Sequence, residues 1–431
     1  MKKEGFSVGD RIKVTTTDED LNGTFIPSQN PQNISLKLDS GYNLSIKKSQ
    51  IKSITLIEKH KEKLSKPSPA TVDKTLPTIS ILHTGGTVSS RVSYDTGAVT
   101  AQFSPEELIQ KFPELKEMAN IRSTLISNVL SENIRFHNYN TIAKATEKEL
   151  KHNIKGIIIT HGTDTLHYTA AALAFILENI NIPVILVGAQ RSSDRPSTDA
   201  AQNLVHAARF IKETDFNGVA ICMHYSQDDS SSFILPPCKV RKLHTSRRDA
   251  FKPINASAIA KINEKITFLT KYHNQNQPFR LKLIKENLKI GILKTHPNLY
   301  AQEIDSYKNF NALIIEGTGL GHAPIEKIDS KSSENIKILN SIKKLAKKIP
   351  IIMTSQCIFG TVNMSVYSTG RKLLEAGVIN NNSDMTTETA FIKAAWLLSN
   401  HKNEFFTLWH KNLRGELNER ILPSQYLDEK K

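Results

Sequence analysis

Along the chain the spacing of apolar and polar positions changes character twice. Over the first sixty residues apolar positions alternate with polar ones, as in Asp10-Arg-Ile-Lys-Val-Thr, Gly23-Thr-Phe-Ile, Ile34-Ser-Leu-Lys-Leu and Tyr42-Asn-Leu-Ser-Ile, with turn residues such as Asp39-Ser-Gly41 between them. A period of two predicts half-buried strands, here a small SH3-like β-barrel of about five strands over residues 1–60. The Lys- and Pro-bearing stretch 61–75 has few residues able to form a core and reads as a linker.

From residue 76 short β-branched runs, TISIL, KGIIIT, IPVILVG and GVAICM, alternate with helical segments such as DTLHYTAAALAFILEN and TDAAQNLVHAARFIKE. This alternation predicts βαβ units around a parallel sheet, a large α/β domain over residues 76–270. Ser104, Pro105 and Glu107 supply an N-cap, a proline at the first helical position and a capping-box glutamate, which predicts a helix start. The polar segment 271–287 separates this region from a second, smaller α/β domain over 288–431. The strands KIGILKTH, NALIIEGTG and PIIMTSQ, the lysine-rich helix ENIKILNSIKKLAKKI and a closing helix near Thr386–Asn400 mark that domain.

A length of 431 residues exceeds what one hydrophobic core usually serves, in keeping with several domains. No run approaches the ~18–20 apolar residues of a membrane span, and the amino terminus MKKEGFSVGD lacks the apolar stretch of a secretory signal. A soluble, cytoplasmic protein with no membrane partner is expected. Cys222, Cys238 and Cys357 are scattered without a CxxC pair and read as small buried hydrophobes. The net charge of +15 suits an anionic partner or a solvated surface, and by itself names neither. The fourteen histidines include no HExxH, so no metal site is expected, and His161 and His167 read as structural. Gly317-Thr-Gly-Leu-Gly321 is not GxGxxG and no Walker motif occurs, so no nucleotide site is expected on this chain.

Three segments carry candidate chemistry. Thr84-Gly85-Gly86-Thr87 directly follows the strand TISILH, where an open parallel sheet binds its ligands. Two glycines let backbone N–H groups approach a substrate oxygen, although a plain strand-to-loop turn has the same composition. His161-Gly162-Thr163-Asp164-Thr165 follows KGIIIT in the same way, so Thr163 and Asp164 emerge on the same sheet edge; helix capping is the competing use of these residue types. Lys242, in Cys238-Lys-Val-Arg-Lys-Leu-His-Thr-Ser-Arg-Arg-Asp249, could take a hydroxyl proton if desolvated beside a threonine and an aspartate. In so basic a stretch the alternative is a solvated surface, or contact with RNA phosphates.

Taken together, ILHTGGTVSS, VSYDTGAV, SEN, ITHGTDTLHYTA, VGAQRSSDRPSTDAAQNL and RKLHTSRRDAFKPIN resemble, in this order, the bacterial-type L-asparaginase family over most of residues 76–270. The barrel, Ser131-Glu132-Asn133 and Glu316-Gly-Thr-Gly-Leu-Gly-His-Ala-Pro324 resemble in particular its tRNA-dependent branch, the D subunits of archaeal glutamyl-tRNA(Gln) amidotransferases. The resemblance implies an asparaginase-like body of two α/β domains behind a small N-terminal β-barrel. It implies Thr87 as nucleophile, Tyr94 on a closing loop, and Thr163, Asp164 and Lys242 as a second triad. Asp164, Ser131 and Glu132 would bind the amino-acid head of the substrate, and backbone near Gly86 and Thr163 would hold the oxyanion. Many asparaginases carry glutamine where Glu132 stands. The acid that asparaginases receive from a neighbouring protomer has no assigned counterpart here, Glu388 being only a guess.

The activity so implied is release of ammonia from glutamine through a threonine acyl-enzyme. A partner, the E subunit of the amidotransferase, would use that ammonia to convert Glu-tRNA(Gln) to Gln-tRNA(Gln) with ATP and magnesium, and this chain would bind no cofactor. Dimerisation of the asparaginase-like body would give a two-plus-two heterotetramer engaging tRNA(Gln). The two threonine sets are chemically similar, and sequence does not order them. A free-standing L-asparaginase or glutaminase is the alternative from the same residues; an inactive tRNA-binding or scaffold protein is the alternative from another class.

Overall fold

The chain is described here from a computed structural model that covers residues 6–28, 30–38, 43–59, 73–85, 90–92, 99–101, 109, 112–191, 198–272 and 277–426. Strands β1 (Arg11–Thr16), β2 (Asp20–Ile26), β3 (Asn33–Leu38), β4 (Asn43–Lys47) and β5 (Ile51–Glu58) form an antiparallel sheet in the order β4-β3-β2-β1-β5. Its alternate residues Ile12, Val14, Ile34, Leu36 and Ile46 are buried together, as the period of two requires.

The large domain contains β6 (Thr78–His83), the hairpin β7 (Ser90–Val92) and β8 (Val99–Ala101), the short helix α1 (Leu115–Met118), β9 (Asn120–Leu125), α2 (Phe136–Glu149), β10 (Gly156–Thr160), α3 (Leu166–Ile176), β11 (Leu177–Glu178), β12 (Pro183–Val187), α4 (Ala200–Glu213), β13 (Gly218–His224), β14 (Ser232–Leu235), β15 (Val240–Lys242), β16 (Phe251–Pro253), β17 (Ala260–Ile262) and β18 (Ile266–Phe268). An eight-stranded sheet runs β18-β17-β14-β13-β12-β10-β6-β9. Its β9, β6, β10, β12 and β13 are mutually parallel, whereas β14, β17 and β18 add antiparallel. Strand β10 shows why its sequence is apolar throughout: Ile157 and Ile159 face α2 and α3, while Ile158 faces the layer containing α4.

The chain continues through β19 (Arg280–Leu281), β20 (Ile290–Lys294), α5 (Ala301–Asp305), β21 (Ala312–Gly317), α6 (Glu334–Ala346), β22 (Ile351–Ser355), α7 (Ser368–Glu375), β23 (Val378–Ile379), α8 (Thr387–Asn400) and α9 (Phe405–Trp409). The sheet β20-β21-β22-β23 is parallel and sequential. Helix α3 is apolar all round, LHYTAAALAFI, because it is covered on both sides, by the large sheet and by α8. Ala312, Ile314 and Ile352 of the second sheet join the same buried cluster, so the two α/β units share one core.

Two sequence expectations require correction. The 271–287 segment is more than a polar spacer: β19 pairs with β11, and the Asn140 amide bridges the backbone of Ile284, donating to its carbonyl at 2.7 Å and accepting from its N–H at 3.0 Å. Phe279, Leu281 and Leu283 alternate inward against the main core and give the segment its anchor. Cys222 and Cys238 are buried, whereas Cys357 is exposed on the turn after β22. The helix start at Ser104, Pro105 and Glu107 lies outside the described residues.

Candidate active site

In the parallel part of the large sheet the chain places β6 first, β9 on one side of it and β10 on the other. Connections therefore leave β6 and β10 in opposite directions, and such a switch point opens a crevice outside the strand ends. Both threonine-bearing segments begin at this crevice. His83 and Thr160 are register partners at the ends of β6 and β10. Just beyond them the Thr84 hydroxyl and N–H donate to the Thr160 carbonyl at 2.9 and 3.2 Å. Gly85 then takes φ +113°, and a Cβ there would lie 2.6 Å from the Val129 carbonyl oxygen, so only glycine fits this turn. Gly86, Thr87 and Tyr94 lie outside the described residues.

Across the crevice, the Lys242 ammonium donates to the Thr163 hydroxyl at 2.9 Å and to the Asp164 carboxylate at 2.7 Å. The Lys242 side chain is 10% exposed and that of Asp164 64%, so the lysine reaches out from beneath while the carboxylate faces the open side. Since the Thr163 oxygen accepts from Lys242, its own O–H is left to point elsewhere. Capping does not use these groups: the N-cap of α3 is Thr165, and its hydroxyl donates to the Ser131 carbonyl at 2.6 Å rather than to the helix. Two close approaches fix the loop. A Cβ at Gly162 would stand 2.8 Å from the Ser131 Cβ, and one at Gly188 would stand 2.8 Å from the Thr163 methyl. Ser131 is thus buried directly against the loop, while Glu132 beside it is exposed.

The basic cluster around Lys242 is neutralised from within. All six of its cations between positions 239 and 252 meet carboxylates: Lys239 with Asp384, Arg241 with Glu388, Lys242 with Asp164, Arg247 and Lys252 with Asp249, and Arg248 with Asp229. Lys239 and Lys242 are therefore not solvated cations, whereas residues 244–247 of the same stretch are exposed. Glu388 is buried in its own chain, 3.1 Å from Arg241 and 3.8 Å from His167, so it does not reach toward a neighbouring protomer. Burial pushes its carboxyl up, but His167 and Arg241 outweigh that and hold it below the usual carboxylate range.

Two histidines lie under the site: His83, which sequence reading passed over, and His161, which it read as structural. His83 hydrogen bonds with the hydroxyls of Thr160 at 2.9 Å and Ser123 at 3.0 Å. His161 hydrogen bonds with the Gly162 carbonyl at 2.6 Å and the Thr169 hydroxyl at 2.9 Å. Burial pulls both imidazoles down to about 4. The available signal was their position, each at a β-branched strand end directly before a Thr or Gly.

Comparison with known proteins follows this geometry closely. The family model "Asparaginase, N-terminal" matches residues 78–274, "Glutaminase/Asparaginase C-terminal domain" matches 289–405, and "GatD N-terminal domain" matches 6–57. The chain is 40% identical to the D subunit of glutamyl-tRNA(Gln) amidotransferase from Pyrococcus furiosus, over 99% of this chain and 98% of that one. It is 41% identical to the corresponding D subunit of Methanococcus maripaludis strain S2, over 96% and 99%. The chain belongs to the family of glutamyl-tRNA(Gln) amidotransferase D subunits. Among solved structures, the thermostable L-asparaginase from Thermococcus kodakarensis superposes with a TM-score of 0.71 at 28% identity, covering 80% of this chain and all of that one. L-asparaginase I from Vibrio cholerae gives 0.68 at 26% identity, covering 80% and 99%. The asparaginase-like body with a separate small N-terminal sheet is therefore the fold of this member of the D-subunit family. Among the described residues no helix is long and apolar enough to cross a membrane.

Proposed function

We propose that this chain is the glutamine-hydrolysing component of a tRNA-dependent amidotransferase. The observation that carries the reading is the full-length correspondence with amidotransferase D subunits, in which the N-terminal domain matched over 6–57 is included. An L-asparaginase fold alone leaves that domain unexplained, since the asparaginase structures cover 80% of the chain.

In this reading Thr87 attacks the side-chain amide carbon of glutamine, with Tyr94 on the loop that closes over it. In the Thr163, Asp164 and Lys242 set, drawn together at 2.7–2.9 Å, Lys242 acts in its neutral amine form, taking the hydroxyl proton by way of Thr163 to become an ammonium and returning it to the departing ammonia. Asp164, with most of its carboxylate exposed, receives the substrate α-amino group, and Ser131 and Glu132 flank the same head group. Backbone N–H groups near Gly86 and Thr163 hold the oxyanion. Ammonia leaves with the acyl-enzyme formed, and water then releases glutamate.

Ammonia passes to the E subunit, which converts Glu-tRNA(Gln) with ATP and magnesium. Two such pairs dimerise through the asparaginase-like body in the cytoplasm. The test is co-expression with a candidate partner: glutamine-dependent formation of Gln-tRNA(Gln) is expected from the pair alone, and Thr87→Ala abolishes both ammonia release and amidation. Hydrolysis by the isolated chain that ignores partner and charged tRNA would return the protein to the free-standing amidohydrolases.

A further inference from the structure

Strand β13 lies beside β12 and runs parallel to it, so the segment after His224 leaves the sheet at the same edge as the loop 188–191 that follows β12. The His224 ring closes β13 at that edge, fully buried, and both of its nitrogens have partners. Nδ1 stands 2.7 Å from Asn203 Oδ1 on α4, and Nε2 stands 3.1 Å from the Asp229 carboxylate. The other contacts of Asn203 orient its amide. Its nitrogen donates to the Gly188 carbonyl at 3.1 Å and faces the Asp199 carboxylate at 3.5 Å, so the atom turned to His224 is the oxygen. The ring therefore meets an acceptor on each side and donates from both nitrogens, as only an imidazolium does. Asp229 balances that charge and is itself held by the Arg248 guanidinium at 2.8 Å.

Followed inward, the same contacts reach the candidate site. The first turn of α4 carries the loop 188–191: Asp199 accepts from the N–H groups of Gln190 and Arg191, each at 3.0 Å, and Asn203 takes the Gly188 carbonyl. Gly188 backs the Thr163 side chain so closely that a Cβ on it would come within 2.8 Å of the Thr163 methyl. Asn203 is fully buried, and among the described residues no group other than His224 donates to its side-chain oxygen. Without that donor the oxygen is left unpaired in the core, the amide is free to turn, and the Gly188 carbonyl loses its hold. We propose that His224 is a positioning residue, whose Nδ1–H fixes the Asn203 amide and so keeps Gly188 in place behind the Thr163 side chain. This deepens the glutamine-hydrolysis reading and rests on it.

The test compares three variants in the assembled complex, assayed for ammonia release from glutamine. In His224→Asn the amide nitrogen falls near Nδ1 and can still donate to Asn203. His224→Gln carries its amide to the Nε2 side, toward Asp229, and His224→Leu fills the volume without a donor. The expected result is kcat within a few-fold of wild type for H224N, and a loss of about 10-fold to 10²-fold in kcat at little-changed KM for H224Q and H224L, the upper figure being the effect of a 1 Å misplacement. A histidine that serves stability alone would lower the thermal midpoint in all three and leave kcat undivided among them. That result, or wild-type kcat in H224L, overturns the proposal. Should the variants fail to fold, long-range ¹H–¹⁵N spectra of the histidine-labelled wild-type chain decide it: a proton on Nδ1 of His224 supports the proposal, and a bare Nδ1 overturns it. Failure of the parent reading looks different, as a wild-type complex that releases no ammonia from glutamine.

Discussion

Gly188→Ala adds a single methyl group at the back of the site. That methyl would stand 2.8 Å from the Thr163 methyl, 3.0 Å from Leu166 Cδ1 and 3.3 Å from the His161 carbonyl oxygen. Carbon atoms pack at about 3.5–4.0 Å, so the Thr163 methyl must withdraw by about 1 Å. The hydroxyl and methyl of a threonine share one Cβ, so the hydroxyl moves too, whether the side chain rotates or the loop shifts. From the present 2.9 Å such a movement takes the Thr163 oxygen to the limit of hydrogen bonding with Lys242. A 1 Å misplacement of a reacting group costs about 10²-fold in rate, equivalent to about 2.7 kcal/mol of barrier. Overpacking also destabilises the fold by about 1–3 kcal/mol, and the control for that is Gly156→Ala. Gly156 begins β10 and Thr160 ends it, and a Cβ at Gly156 would lie 2.6 Å from the Ile211 methyl in the opposite layer. Both variants would be assayed as complexes by glutamate dehydrogenase-coupled ammonia release and by thermal unfolding. G188A should lose kcat and G156A only stability; equal losses of activity in the two would refute the reasoning.

Two further predictions concern stability. His83 and His161 are held at about 4 against an ordinary 6.5, so the unfolded chain binds their protons near pH 6.5 and the folded chain only near pH 4. Their contribution is complete above pH 6.5 and is lost as pH falls from there to 4, by about 3 kcal/mol per histidine; a denaturation midpoint that stays flat over this window would contradict the assignment. Lys393 and Glu416 are fully buried 2.6 Å apart, and the ammonium also donates to the Trp409 and Lys411 carbonyls. Lys393→Met leaves a carboxylate stranded and should destabilise the protein by about 3–5 kcal/mol in urea titration, with much of the loss recovered in Lys393→Met/Glu416→Leu.

The parallel strands were legible because their burial is two-sided: GIIIT and PVILV can be nothing but central strands when every position is buried. Helix α3 was legible for the same reason, although its cover by α8 is a tertiary fact. What composition could not reveal was charge paired at a distance. Lys239 and Lys393 look like solvated cations in sequence, yet their partners Asp384 and Glu416 lie 145 and 23 residues on and bury both ammonium groups. Lys242 belongs with them, since nothing in its own spacing separates it from Arg247 or Lys252, and only the resemblance singled it out. The 271–287 segment misled because its inward residues, Phe279, Leu281 and Leu283, are diluted among polar neighbours.

The same buried pairs explain why a second α/β unit is present beside a site built on the first. Lys242 ends β15, which among the described residues pairs only with β16 and lies outside the large sheet, so the sheet alone does not fix it. Its anchors come from the start of α8 and the loop before it. Thr389 donates to the Cys238 carbonyl at 2.9 Å, Asp384 takes Lys239 at 2.5 Å, and Glu388 takes Arg241 at 3.1 Å. Residues 238, 239 and 241 are thereby tied to one helix start before the chain reaches Lys242. The C-terminal unit contributes no member of the Thr163, Asp164 and Lys242 set, yet it fixes the strand on which the ammonium stands. A charge that must meet two oxygens at 2.7 and 2.9 Å gains its geometry from that rigid frame, because a four-carbon stem on an unsupported hairpin would spread over many rotamers.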